Sequence, residues 1–203
     1  MLVARDAFNG VLLWKRPIPK WESRYRPFRS GPTHLPRRLV AVGDDIFVTL
    51  GLEEPVVRLD AASGKVQMTY AETAGTEEIL FQDGILYLVT GNLAQQRAAD
   101  QAVRRGQKLP PVHKTIMTID AATGRRLWKK TDNETADQFA QTMGLKDGRV
   151  FFQNTRAVLC LDAADGEQIW RQSRSAASRR AAWSVPTLVA YGERPDEDTS
   201  ALQ

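Results

Sequence analysis

Cys160, His34 and His113 carry the side chains of this 203-residue chain best suited to nucleophilic or metal chemistry. A single cysteine allows neither an intrachain disulfide nor a cluster of thiolate ligands. The two histidines lie in different segments, without neighbours of ligand type, whereas a zinc site gathers three or four ligands. Cys160 sits in the apolar run Val158–Leu161, so a buried core thiol is expected; a reactive thiol would need exposure and a cationic neighbour. The adjacent acids Asp44-Asp45, Glu53-Glu54 and Glu77-Glu78 do not form carboxylate dyads, because neighbours on a strand point to opposite faces. They read as solvated turn charges. No G-x-S-x-G elbow and no Walker or dinucleotide glycine loop is present.

The remaining distinctive residues recur. Asp6, Asp60, Asp120 and Asp162 are each followed by Ala, and four residues later by a glycine: Gly10, Gly64, Gly124 and Gly166. Four residues after that glycine stand Trp14, Met68, Trp128 and Trp170. Apolar, often β-branched residues flank each copy, as expected of two strands joined by a short turn. The Asp carboxylate can accept turn amides, and the Gly supplies the positive φ of a bulged hairpin loop. The Trp, on the outgoing strand, is placed to cover the edge of a neighbouring sheet. That structural role is the expectation for Trp14, Trp128 and Trp170, and turn capping is the expectation for the aspartates.

A second hairpin precedes each of the last three copies. Its turns are Gly43-Asp44-Asp45, Asp83-Gly84 and Asp147-Gly148, each between apolar runs. Each unit is thus four antiparallel strands. Successive motif aspartates stand 54, 60 and 42 residues apart, and a four-stranded propeller blade takes about 40–45 residues. The longer intervals hold insertions, Trp21 to Pro36 and Asn92 to His113. The second reads as a polar helix from Ala94 to Arg105 ending at Gly106. The expected fold is all-β: a β-propeller of four-stranded antiparallel blades, about three complete, with partial blades at each end. The expected divisions are a partial blade at 1–18, a basic loop at 19–38 and blades at 39–70, 79–131 and 139–171. A further blade begins at 183–192, and 193–203 form a polar tail. Alternatively, the C-terminal strands complete the N-terminal half-blade in a four-bladed ring.

The motif resembles the quinoprotein-like β-propellers, or PQQ-like repeat proteins, whose blade signature is A-x-D-x-x-T-G-x-x-x-W. Asp120, Thr123, Gly124 and Trp128 fit it, with Thr118 at the Ala position. Ala4, Asp6, Gly10 and Trp14 fit, with Asn9 for Thr. Asp162, Gly166 and Trp170 fit, with Asp165 for Thr and Cys160 for Ala. Asp60 and Gly64 fit, with Ser63 for Thr, while Arg58 and Met68 depart. The family contains quinone-dependent dehydrogenases and non-catalytic scaffolds. The alcohol-dehydrogenase type holds pyrroloquinoline quinone between a tryptophan and a disulfide of adjacent cysteines, with calcium as Lewis acid. One cysteine cannot make that disulfide, although some sugar dehydrogenases of the family lack it.

The resemblance therefore implies a non-catalytic scaffold or interaction surface, without cofactor, metal or catalytic residues within this chain. Its nearest analogue is the outer-membrane assembly lipoprotein propeller. The alternative is part of a quinoprotein dehydrogenase whose quinone and calcium residues lie in other blades. The family also implies a periplasmic or extracellular location and the fragment of a larger bacterial protein. No basic-then-apolar start marks a signal peptide.

Charge adds one further expectation. The chain carries 28 Lys+Arg against 24 Asp+Glu, an excess too small to indicate a nucleic-acid binder. The basic residues cluster in connections. Arg24, Tyr25, Arg26, Phe28 and Arg29 interleave charge with aromatics, and Arg104 and Arg105 lie on the helical insertion. Such loops could pack on the propeller, or take a protein partner or an acidic polymer. They are the expected partner-binding residues.

Overall fold

A computed structural model describes residues 1–18, 37–92, 112–174 and 188–190. Within the insertion it also describes residues 94, 95, 98, 101, 102 and 105–107. The basic loop residues Arg24, Tyr25, Arg26, Phe28 and Arg29, together with His34 and Arg104, lie outside the described residues, as do most of 183–192 and all of 193–203.

Fourteen strands form four antiparallel sheets among the described residues. Strands β1 (Leu2–Arg5) and β2 (Leu12–Arg16) make a two-stranded sheet. The second sheet is β3 (Leu39–Val42), β4 (Asp45–Thr49), β5 (Val56–Asp60) and β6 (Val66–Thr69). The third is β7 (Thr76–Gln82), β8 (Ile85–Thr90), β9 (Thr115–Asp120) and β10 (Arg126–Lys130). The fourth is β11 (Gly144–Lys146), β12 (Arg149–Gln153), β13 (Ala157–Asp162) and β14 (Gln168–Ser173). Within each four-stranded sheet the strands lie in chain order, so every connection is a hairpin. The expectation of an all-β chain of four-stranded antiparallel propeller blades is met, and among the described residues the sheets do not close a ring.

The first strands are innermost: β7 packs against both β3 and β11. Burial follows from this arrangement. The middle strands β8 and β9 are nearly all buried, whereas β14 is exposed along its whole length. The core consists of layers between blades. One layer packs Tyr87, Ile116 and Trp128 of the third sheet against Val150, Phe152 and Leu159 of the fourth. Another packs Phe47, Val56 and Tyr70 of the second sheet against Ile79, Leu88 and Ile119 of the third. A blade alone would leave such faces in water, so neighbours stabilise each other.

In the insertion, residues 94, 95, 98, 101 and 102 have helical backbone. Asn92 Oδ1 accepts the Gln95 amide at 3.0 Å, a helix N-cap, and Gly106 follows at φ +65°. Arg105 there is exposed.

Candidate functional site

The motif aspartate shapes its own turn in all four copies. The glycine amide donates to the aspartate carbonyl at 2.9, 2.8, 2.8 and 3.0 Å for Gly10, Gly64, Gly124 and Gly166. Aspartate Oδ1 accepts turn amides: Phe8 and Asn9 on Asp6, Ser63 on Asp60, Ala122 and Thr123 on Asp120, and Ala164 on Asp162. The hydroxyls of Ser63 and Thr123 donate to the same oxygens, and with the turn amides they hold the Asp60 and Asp120 carboxyls below their ordinary range.

The residue before the glycine varies as Asn9, Ser63, Thr123 and Asp165. In each case its side-chain oxygen accepts the amide two residues ahead. A short side chain with an acceptor oxygen is the common requirement, which explains the departures from Thr. A register shift follows at every motif hairpin, the bulge that a left-handed glycine permits.

These turns receive the preceding blade. Trp14 Nε1 donates to the carbonyl of Ala61 at 2.8 Å, and its indole lies over Gly64. A Cβ on Gly64 would meet Trp14 Cδ2 at 2.6 Å. Trp128 Nε1 donates to Ala163 at 2.9 Å, and a Cβ on Gly166 would stand 2.6 Å from its ring. The glycine is thus required twice, for its positive φ and for the ring that covers it.

The joint between the second and third sheets is built differently. Met68 stands where the other copies have Trp, and Tyr70 replaces the missing donor. Its hydroxyl donates to the Ala121 carbonyl at 2.7 Å. Residues 68 and 70 share one face of the outgoing segment, because side chains alternate with period two. Tyr70 is fully buried, and burial pushes its hydroxyl up to about 12. A cleft of about 230 Å³ lies beside Gly124, rimmed by Arg126 and its ion-pair partner Glu72. Sequence reading missed Tyr70; its signal was an aromatic two residues beyond the departing Met68.

A second group of polar residues lies on the innermost strands. Glu77 and Glu78 are both buried, which corrects their reading as solvated turn charges. They open β7, a strand flanked by blades on both sides, so neither face reaches water freely. Glu78 pairs with the Arg37 guanidinium, and Glu77 pairs with Lys114 at 2.9 Å. Arg37 also donates to the carbonyls of Gln141 and Met143 at 3.2 and 3.1 Å, and its own carbonyl accepts the Ile79 amide. One side chain therefore bridges three sheets. Burial raises Glu78 to about 7, against the pull of Arg37. Sequence reading missed this cluster, whose members come from distant segments.

The other candidates stand apart. Cys160 is fully buried in β13, and burial pushes its thiol up, away from thiolate reactivity. His113 is exposed and bridges backbone with Ala136. Asp45 faces Arg58 at 3.7 Å, and Glu53 and Glu54 are exposed. Among the described residues, no group of three His, Cys, Asp or Glu side chains comes together, and no helix is long and apolar enough to cross a membrane.

The family profile described as "Outer membrane protein assembly factor BamB" matches residues 112–194. No curated protein matches the chain. Among solved structures, the computationally designed Ika4 protein is 11% identical, covering 82% of this chain and 84% of its own, with a TM-score of 0.49. Quinohemoprotein alcohol dehydrogenase ADHIIG from Pseudomonas putida HK5 is 18% identical, covering 70% of this chain and 22% of its own, with a TM-score of 0.45. BamB from Moraxella catarrhalis is 11% identical, covering 72% and 38%, with a TM-score of 0.44. The chain thus spans well under half the length of these two natural proteins. By the profile match over residues 112–194 and the blade motif present in four copies, the chain is similar to the β-propellers of the quinoprotein-like, PQQ-like repeat family.

Proposed function

We propose that this chain is a non-catalytic propeller scaffold, a surface on which protein partners assemble. The observation that carries this reading is how the motif residues are used. Each motif aspartate is spent on capping its own turn, and Trp14 and Trp128 are spent on joining blades. The buried carboxylates of the innermost strands face lysine and arginine in ion pairs that tie blades together. Side chains so committed hold a shape and leave recognition to the connections. The match to an outer membrane protein assembly factor supports partner binding and a periplasmic location. Exposed Arg105, with its neighbours on the helical insertion, is the described part of the rim where a partner would bind.

The test is thermal unfolding of the chain with saturating pyrroloquinoline quinone and calcium. A ligand that binds only the folded state raises the midpoint, by about 2.7 kcal/mol of stability at a hundredfold excess over Kd. The scaffold reading expects no shift. A reproducible rise would overturn it in favour of a quinone site built in part by these residues.

A further inference from the structure

The second and third sheets meet through a methionine, where Trp14 and Trp128 serve the neighbouring joints. Met68 Sδ lies over Gly124: a Cβ on that glycine would meet the sulfur at 3.5 Å. Met68 is partly exposed and packs against the core layer that holds Tyr70, Met117 and Ile119. Both sheets of this joint are complete four-stranded blades. A cleft opens on the same glycine, lined also by Ala71, Glu72, Met117, Ile119 and Arg126. Its volume of about 230 Å³ is several times the ~30 Å³ that one water takes up in the liquid. Water and solutes of that size therefore reach the joint beside the sulfur.

The other three methionines of the chain are placed differently. Met117 and Met143 are 4% and 2% exposed. Met1 is 75% exposed and belongs to none of the core layers. Met68 alone combines access from solvent with a place in a blade joint.

The turn beneath the sulfur has no donor to spare. The Ala121 amide donates to the Gly84 carbonyl, the Gly124 amide to the Asp120 carbonyl, and the Ala122 and Thr123 amides to Asp120 Oδ1. The Arg125 amide donates to Thr123 Oγ1, the Tyr70 hydroxyl to Ala121, and the Arg126 guanidinium pairs with Glu72. An apolar thioether fits over such a turn. A strongly polar oxygen on that sulfur would find no partner there and would have to turn outward to water, lifting the side chain from Gly124.

We propose that Met68 is a site of reversible oxidation by peroxide, and that its sulfoxide loosens the joint between the second and third sheets. The thioether sulfur attacks one oxygen of hydrogen peroxide and the O–O bond breaks. Sulfur gives up two electrons in forming the S–O bond, and the departing hydroxide takes the remaining proton and leaves as water. The product is polar and chiral, and methionine sulfoxide reductases return it to the thioether. This assignment is independent of the scaffold reading.

The test treats the folded chain with dilute hydrogen peroxide, follows each methionine by mass spectrometry of its peptide, and records thermal unfolding of the same samples. Met1 and Met68 should take up oxygen about tenfold or more faster than Met117 and Met143, following exposure. Oxidation of Met68 should lower Tm by about 4 °C or more, the scale of one polar group brought into a joint without a partner. Met68→Leu keeps an apolar side chain of similar size, so it should unfold near the wild type before treatment and lose little after it. Methionine sulfoxide reductase should restore the wild-type Tm in step with loss of oxygen from the Met68 peptide, a readout that stands even where Met68→Leu is itself unstable. Met68 reacting no faster than Met117 and Met143 would overturn the site. A Tm unchanged once Met68 is oxidised, a fall shared by treated Met68→Leu, or a Tm that stays low as Met68 is reduced would overturn the loosened joint.

Discussion

Trp128 and Trp170 occupy the same motif position in successive blades, and their unequal burial makes a controlled comparison. Trp128 is 9% exposed, donates to the Ala163 carbonyl at 2.9 Å and belongs to the core layer between the third and fourth sheets. Trp128→Ala removes that ring, leaves a void over Gly166 and orphans the carbonyl. Burial of this kind puts the loss at about 4 kcal/mol. Trp170, 38% exposed and without a hydrogen-bond partner for its indole nitrogen among the described residues, should cost about 1 kcal/mol as Ala. For a chain of this size each kcal/mol moves Tm by about 2–4 °C, so the two variants should separate by roughly 6–12 °C. Urea unfolding followed by circular dichroism gives both values. Because each blade leans on its neighbours, Trp128→Ala should also let the fourth sheet unfold first, as a separate transition of smaller m-value. Equal losses for the two variants would refute the assignment of blade-joining energy to the covered indole.

Two further expectations follow from the same joints and from the innermost strands. Tyr70→Phe removes one hydroxyl from a fully buried ring and leaves the Ala121 carbonyl unpaired, so urea unfolding should show a loss of about 1–3 kcal/mol, and a loss below about 0.5 would mean the bond is not holding the joint. Glu78 is raised in the folded chain to about 7 from 4.5, so the folded state binds more protons between those values and stability falls as pH rises through that window. Glu78→Gln, which mimics the neutral acid, should match the wild type below pH 4.5 and exceed it by up to about 3 kcal/mol above pH 7. Thermal unfolding across that range reads the difference, and a variant less stable at high pH would show instead that the Arg37 ion pair outweighs burial.

How far the sequence reveals this molecule depends on the range of the interaction. An Asp–Gly turn is decided within six residues, by one carboxylate, one left-handed glycine and the amides between them. Four copies of that local device could be read directly, and with them the four-stranded unit. The variation at Asn9, Ser63, Thr123 and Asp165 looked like departure from a motif, yet one hydrogen bond from two residues ahead explains all four. Tyr70 lay one step further off. Its partner is 51 residues away, and only the alternation of side chains along an extended segment connects it with the position that Met68 left unfilled.

Glu77 and Glu78 lay beyond reach for a different reason. Two adjacent acids at the start of a strand have the local signature of solvent-facing charge, and on an outer strand they would be that. On β7 the two faces of the pleat both meet protein, so each acid needs its own cation. Arg37 comes from the segment before β3, and Lys114 comes from the far side of the insertion. A charge pair of this kind costs desolvation on both sides and stabilises little by itself. Its effect is to fix register between blades: Arg37 also holds the carbonyls of Gln141 and Met143, so a shift of any one of the three sheets would strand a buried carboxylate. The turn motifs set how each blade is made, and the buried ions of the innermost strands set how blades are placed against one another. The first instruction repeats along the chain and is visible there; the second joins distant segments and exists only after folding.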